Sequence, residues 1–321
     1  MGDKLQLALV GHGYLGSLHF TKLKQLNAYA DCYAVVETDE RKKLIIQKNF
    51  PGIKVVSDIG EVLDNIDGAL VVSPTSTHYE IVKILLEHDK HVFCEKPLTA
   101  TLQQALLLQD LHSFQKSILQ VGHSERYHQI WELIASYRSF FTPPCSVRIN
   151  RYAPFKKRAV DVDVIFDLMI HDLDLLKFLF KREPKILRSK GYKIRTNKWD
   201  HVSSELSLGD DIYVHITVSR NHVKEERNWE ITSSSGCFYI DLLDCKYYIS
   251  HNNDEKVHHY SYEKRDHLLM EQEDFCRAIR HEKKPMVDVS EGVCAMKMAF
   301  QVLRGLDAVS RKPDLAGGIS P

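Results

Sequence analysis

The chain has 321 residues, 44% of them hydrophobic and 27% charged, with 43 basic side chains against 43 acidic ones. That length exceeds what a single core usually serves, so two domains are expected, and the balanced charge supplies no basic field of the kind nucleic acid selects. No run reaches the roughly 18 apolar residues of a membrane span, no apolar leader follows Met1, and seven scattered cysteines without a Cys-x-x-Cys pair read as reduced thiols, so the expectation is a soluble, cytoplasmic protein.

Leu5–Val10 is a short apolar run of the kind a buried parallel strand shows. It leads straight into Gly11-His12-Gly13-Tyr14-Leu15-Gly16, and a helical pattern follows to about Leu26. A strand before the glycines and a helix after them is the context that turns a weak motif into a dinucleotide-binding fingerprint. The glycines permit a tight turn, close approach to a pyrophosphate and close helix–strand contact, and the phosphates rest on the helix N-terminus. The next strand, Cys32–Val36, ends at Glu37, where an acid is expected to bind the adenine ribose diol. An acid there favours NAD over NADP, although Arg41, Lys42 and Lys43 stand close by in sequence.

Alternation continues through a strand at Lys54–Ser57, a short helix at Ile59–Asn65 and a strand at Gly68–Ser73. A helix then runs from Pro74-Thr75-Ser76-Thr77-His78 to about Glu87, with Thr77 or Ser76 as its cap. Strands at His91–Cys94 and Ile118–Val121 flank a helix from Leu102 to Phe114. Repeated units of this length make a doubly wound parallel sheet, and ligands bind at the carboxyl ends of its strands. The glycine loop, Glu37, Ser73–His78, Glu95-Lys96-Pro97 and Gly122-His123 all fall at such ends. Lys96, pinned between Glu95 and Pro97, is placed to donate to a substrate hydroxyl or relay its proton, and spacing alone leaves a solvated lysine equally open.

Past His123 the parallel alternation stops, so residues 1–123 are read as the NAD-binding domain and 124–321 as an α+β domain for substrate and oligomerisation. A helix is expected over Tyr127–Tyr137 and a strand over Cys145–Tyr152. Arg151 and Tyr152 are its candidate sugar or phosphate contacts, with Lys156, Lys157 and Arg158 in the following loop as cations for a diphosphate. In Asp167-Leu-Met-Ile-His171-Asp-Leu-Asp174 the carboxylate and imidazole are four apart, which on an α-helix stacks them on one face. A carboxylate so placed holds the imidazole tautomer and raises its basicity. Strands follow from Lys185 to Ser250 with hairpin signals, forming a largely antiparallel open sheet whose free face is expected to join a homodimer or homotetramer. His258-His259 reads as a surface strand pair rather than a metal site, and no metal is expected. Helices at about 266–281 and 290–311 close the chain, the last one placed to pack back on the first domain, before a tail from Lys312.

The order Gly11-x-Gly13-x-x-Gly16, Glu37, Ser73-Pro74-Thr75-x-x-His78, Glu95-Lys96-Pro97 and Asp167-x-x-x-His171 resembles the Gfo/Idh/MocA oxidoreductases over nearly the whole chain. The resemblance implies that Lys96 is catalytic and that the Asp167–His171 helix supplies the base. Val121-Gly-His123-Ser-Glu-Arg126-Tyr and Asp161–Asp172 are similar to the branch that oxidises the 3-hydroxyl of UDP-N-acetylglucosamine, with a transaminase acting downstream toward a 2,3-diamino lipid A. That places His123 and Arg126 beside the substrate. One departure is Arg126-Tyr-His-Gln129, where the branch shows Arg-Phe-Asn-Pro. Other sugar or polyol dehydrogenases of the inositol or glucose type, and a nucleotide-binding regulator without turnover, are the alternatives; the intact Lys96, Asp167 and His171 set argues against the last.

Overall fold

In a computed structural model, which describes residues 3–156 and 162–310, the chain divides into two units. One comprises 1–128 with 265–296, the other 129–264 with 297–321. The boundary expected after His123 therefore lies five residues later, and a later segment returns to the first unit. The reason is physical. Phe275, Cys276 and Ile279 complete the apolar cluster built by Leu7, Leu9, Phe20, Leu23 and Phe93. Val287 adds a strand-like bond to the sheet edge, its carbonyl accepting from Val121 N at 3.0 Å.

The first unit carries β1 (Leu5–Val10), α1 (Tyr14–Gln25), β2 (Ala30–Val36), α2 (Glu40–Asn49), β3 (Lys54–Val56), β4 (Gly68–Val71), α3 (Thr75–Glu87), β5 (His91–Glu95), α4 (Leu102–His112) and β6 (Leu119–Gly122). Their order in the six-stranded parallel sheet is β3-β2-β1-β4-β5-β6, so the strand order reverses between β1 and β4. That switch point is where an open α/β sheet opens a crevice for a ligand. The β strands read as continuous apolar runs because both faces are covered by helices.

The second unit begins with short helical turns rather than the single helix expected over Tyr127–Tyr137: only α5 (Ile130–Leu133) is α-helical, between 3₁₀ turns. Then come β7 (Cys145–Tyr152), α6 (Ile170–Phe180), β8 (Lys185–Tyr192), β9 (His201–Ser207), β10 (Ile212–Ser219), β11 (Glu226–Ser233), β12 (Gly236–Asp241), β13 (Lys246–His251) and β14 (Val257–Ser261). Their order is β14-β13-β12-β11-β7-β10-β9-β8, antiparallel throughout except for the β7–β10 pair. The sequence pattern implies hairpins; it does not show that β7 lies between two strands reached only later in the chain. Helices α7 (His267–Ile279) and α8 (Val289–Ser310) follow. Asp266 caps α7, accepting from Leu269 N at 3.1 Å. The expected tail from Lys312 lies outside the described residues.

Candidate functional site

The three glycines of the first loop have three different local reasons. Gly11 sits at φ +89°, and a Cβ there would meet Ser73 Cα at 2.7 Å across the switch point, so the backbone and the space both require glycine. Gly16 faces its own loop, where a Cβ would lie 2.1 Å from the Gly11 carbonyl oxygen. Among the described residues Gly13 has no atom within 4 Å of an added Cβ. It is the open side of the turn, and it stands at the N-cap of α1, which has no side-chain cap and no acid in its first turn. Free amides and open space there fit the pyrophosphate of a dinucleotide. Tyr14 and Leu15 are exposed beside it. The His12 ring packs edge-on against Phe20, and burial above all lowers its pKa.

Glu37 ends β2 as expected, but its carboxylate is 8% exposed and already holds the loops together. It accepts from His12 N at 3.0 Å, Thr38 N at 2.9 Å and Asp39 N at 3.1 Å, with Lys42 Nζ at 3.8 Å. It thereby fixes the amides of the glycine loop as well as presenting an acid at the strand end.

The β4–α3 loop differs from the expectation in its cap. Pro74 is the N-cap, and the Thr77 hydroxyl bonds Ser73 Oγ at 2.7 Å and Pro74 O at 2.8 Å instead of capping. Thr75 opens the helix. His78 turns inward, 1% exposed, with Nε2 at 2.9 Å from Ser73 O and Nδ1 at 3.0 Å from Pro97 O. A neutral ring donates to one of these at a time, and burial, the largest effect, lowers its pKa. His78 thus ties the Ser73–Pro74 turn to the Lys96–Pro97 turn.

Glu95 also turns inward. Its Oε1 is 2.9 Å from His19 Nε2 and its Oε2 accepts from Lys96 N at 3.0 Å. The Lys96–Pro97 bond is cis, and Lys96 is half-buried just past the strand end. His123 is buried at the end of β6. Arg126, expected beside the substrate, is 4% exposed and donates to Met286 O at 3.0 Å and to Glu291. For Glu95, His78 and Arg126 the place at or just past a strand end was legible in the sequence, while the inward direction of the side chain was not.

In the second unit the Asp167–His171 stretch is not one α-helix. Ile165–Met169 is a π turn with Ile170 N bonding Ile165 O, and α6 begins only at Ile170. The α-helical stacking expected for positions 167 and 171 therefore does not carry over unchanged. Such turns recur at functional sites. Asp167 and His171 are both half-buried. Asp172, between His171 and Asp174, is 1% exposed and is held by Arg151, Nε at 2.6 Å and Nη2 at 2.9 Å, and by Trp229 Nε1 at 3.2 Å. Arg151, expected to touch sugar or phosphate, is thus a buried anchor joining β7 to α6. The signal was present: Cys145, Val147 and Ile149 alternate inward, and Arg151 continues their phase. Tyr152 lies on the other phase, stacks on His222 with centroids 4.5 Å apart and donates to Asn150 Oδ1 at 2.8 Å. Arg158, Lys157 and Asp161 lie outside the described residues. His258 pairs with Asp254 at 2.7 Å on the sheet-edge strand β14, as a surface histidine would.

A parallel sheet of order 3-2-1-4-5-6, a glycine turn open only at Gly13 and an acid closing β2 define a dinucleotide-binding dehydrogenase. Comparison with known proteins agrees: residues 5–123 match the oxidoreductase family with an NAD-binding Rossmann fold, and 126–239 match the C-terminal domain of the same Gfo/Idh/MocA family. The chain belongs to the Gfo/Idh/MocA oxidoreductases, and its cofactor is NAD. It is 28% identical to the UDP-N-acetylglucosamine 3-dehydrogenase of Acidithiobacillus ferrooxidans over 95% of this chain and 98% of that one. A solved structure of that enzyme superposes with a TM-score of 0.85, covering 96% of this chain and 99% of the other. It is also 22% identical to the myo-inositol 2-dehydrogenase of Thermotoga maritima over 94% of this chain and 96% of that one. Among the described residues no helix is long and apolar enough to cross a membrane.

Proposed function

We propose that the protein oxidises a sugar hydroxyl to a ketone with NAD, and that the substrate is UDP-N-acetylglucosamine, oxidised at its 3-hydroxyl. The observation that carries this reading is the end-to-end match to a UDP-N-acetylglucosamine 3-dehydrogenase in both sequence and structure. NAD, when bound, accepts hydride from the carbinol carbon. Its pyrophosphate is assigned to the amides at Gly13–Gly16, and its ribose to Glu37.

The protein's own residues handle the proton. His171 is assigned as the base that takes it from the hydroxyl, Asp167 as the group that orients the imidazole, and Lys96 as the ammonium that polarises the hydroxyl oxygen. His123 and Tyr152 remain as substrate contacts in this proposal.

Purified protein mixed with NAD and UDP-N-acetylglucosamine is expected to form NADH, whereas myo-inositol is not expected to support turnover. Turnover with inositol and none with any UDP-sugar would overturn the substrate assignment. A homodimer or homotetramer through the eight-stranded sheet, an aminotransferase consuming the ketone on the way to a diamino lipid A, and a cytoplasmic location belong to the same reading. Light scattering tests the assembly. Trapping of the ketone as an amine by a supplied aminotransferase tests the sequence of reactions.

A further inference from the structure

Behind Lys96 lies a buried polar cluster that no local sequence signal announces. His19 of α1, Glu95 of β5 and Glu271 of α7 are 0%, 6% and 0% exposed, and one ligand-type atom from each lies within 4.8 Å of the others. Gln272 sets the protonation. Its Nε2 donates to the His19 carbonyl at 3.2 Å, which fixes the orientation of the amide, because a carbonyl can only accept. The same Nε2 is 2.9 Å from His19 Nδ1, so Nδ1 accepts and the ring proton sits on Nε2. Nε2–H then donates to Glu95 Oε1, while Lys96 N–H donates to Oε2. Both oxygens of Glu95 are acceptors, so Glu95 is the anion. A histidine that ligates a metal through Nε2 donates from Nδ1 instead, so this arrangement is not that of a metal centre.

Glu271 is the contrast. Among the described residues neither of its oxygens has a hydrogen-bond partner, although the side chain is completely enclosed. The groups near its carboxyl are Glu95 from β5, His19 from α1, Asp274 from its own helix and the Tyr127 hydroxyl, while the uncharged Gln120 of β6 donates to its backbone carbonyl. Asp274 is itself met by Lys283, the Tyr127 hydroxyl and Met286 N. A second carboxylate beside Glu95, with no donor of its own, is the situation in which one acid keeps its proton.

We propose that His19 and Glu95 are positioning residues for Lys96, with Glu271 held beside them as a neutral carboxylic acid so that one negative charge, not two, stands under the lysine. The directions of titration agree. Burial raises the Glu95 carboxyl, but the His19 hydrogen bond, the Lys96 charge and the Lys96 N–H bond work against it, and the group is held below its ordinary range. Burial, then the charges of Glu95 and Asp274, push Glu271 well above its own.

The proposal rests on the reading of Lys96 as the group that polarises the hydroxyl, and the experiment separates the two. In the full-length protein with NAD and UDP-N-acetylglucosamine, Glu95→Gln removes the charge and keeps the shape. It is expected to lower kcat about 10²-fold, the scale of a misplaced reacting group. The KM for NAD is expected to move little, the pH profile of kcat to shift, and Glu95→Asp to recover part of the rate. If Lys96→Ala turns over normally, the reading of Lys96 fails. If Lys96→Ala is inactive while Glu95→Gln keeps the wild-type rate and pH profile, only the positioning proposal fails. Infrared difference spectroscopy needs no catalysis: the wild-type protein at neutral pH is expected to show a protonated-carboxyl C=O band that Glu271→Gln abolishes. No such band, or one unaffected by Glu271→Gln, would overturn the assignment of the neutral acid.

Discussion

Replacing Asp172 by alanine separates a structural role for Arg151 from a sugar-binding one. The substitution removes a carboxylate that takes two charge-assisted bonds from Arg151, at 2.6 and 2.9 Å, and one from Trp229 Nε1 at 3.2 Å. Arg151 is 3% exposed, so its guanidinium cannot turn to water for compensation. Losing one partner of such a buried pair costs about 3–5 kcal/mol, against a total stability of roughly 5–15 kcal/mol for a domain. At about 2–4 °C per kcal/mol for a unit of this size, the melting temperature is expected to fall by roughly 6–20 °C. Differential scanning calorimetry on Asp172→Ala measures it, with Arg151→Met/Asp172→Leu as the control. The apolar pair leaves no buried charge and is expected to recover most of the loss. A melting temperature unchanged in Asp172→Ala, together with a raised KM for the sugar nucleotide in Arg151→Met, would refute the anchoring argument and restore Arg151 to the substrate.

The remaining predictions concern the cofactor loop, the chemistry and pH. Gly13→Ala is expected to fold normally but bind NAD more weakly by calorimetry, whereas Gly16→Ala, whose Cβ would lie 2.1 Å from the Gly11 carbonyl oxygen, is expected to lower the melting temperature as well; equal melting temperatures would contradict the distinction. His171→Ala and Lys96→Ala are each expected to lose about 10²–10⁴-fold in kcat with NAD affinity kept, as removal of a general base or proton donor should. Either variant retaining wild-type turnover would sink the assignment. Burial is the leading cause of depressed pKa values at His12, His78, His91 and His201. A depressed histidine stabilises the fold above its unfolded pKa of 6.5 and loses that contribution as the pH falls toward the folded pKa. Urea midpoints are therefore expected to drop below about pH 6.5, and His78→Asn is expected to flatten the slope by up to about 1.4 kcal/mol per pH unit. An identical acid limb in the variant would remove His78 from the account.

The two kinds of sheet, nearly every strand and the carboxyl-end address of each functional loop can be read from periodicity and glycine placement, because those follow from backbone sterics and burial. What periodicity does not carry is where a polar side chain points once it is enclosed. Glu95 and His78 stand at the correct strand ends yet turn inward, because their partners, His19 on α1 and the Pro97 carbonyl, are brought to them only by the fold. Arg151 is the exception that was legible, since its place in the inward phase of β7 demanded a buried counter-charge. The return of 265–296 to the first unit and the parallel β7–β10 pair are long-range pairings, which no local signal encodes.

The π turn at Ile165–Met169 has a consequence for how this helix can change over evolutionary time. One residue added to an ordinary α-helix rotates everything before it by about 100°. Here the extra residue is absorbed as a local bulge ahead of α6, while Asp172 is clamped from β7 and β11 just after it. The segment that includes Asp167 can therefore be re-aimed by insertion or deletion without unseating His171. Deleting Leu168 would turn the bulge into regular helix and swing Asp167 out of register, leaving the Asp172 anchor intact. Variation at the entry to this helix can thus re-aim Asp167 while the start of α6 stays anchored through Asp172.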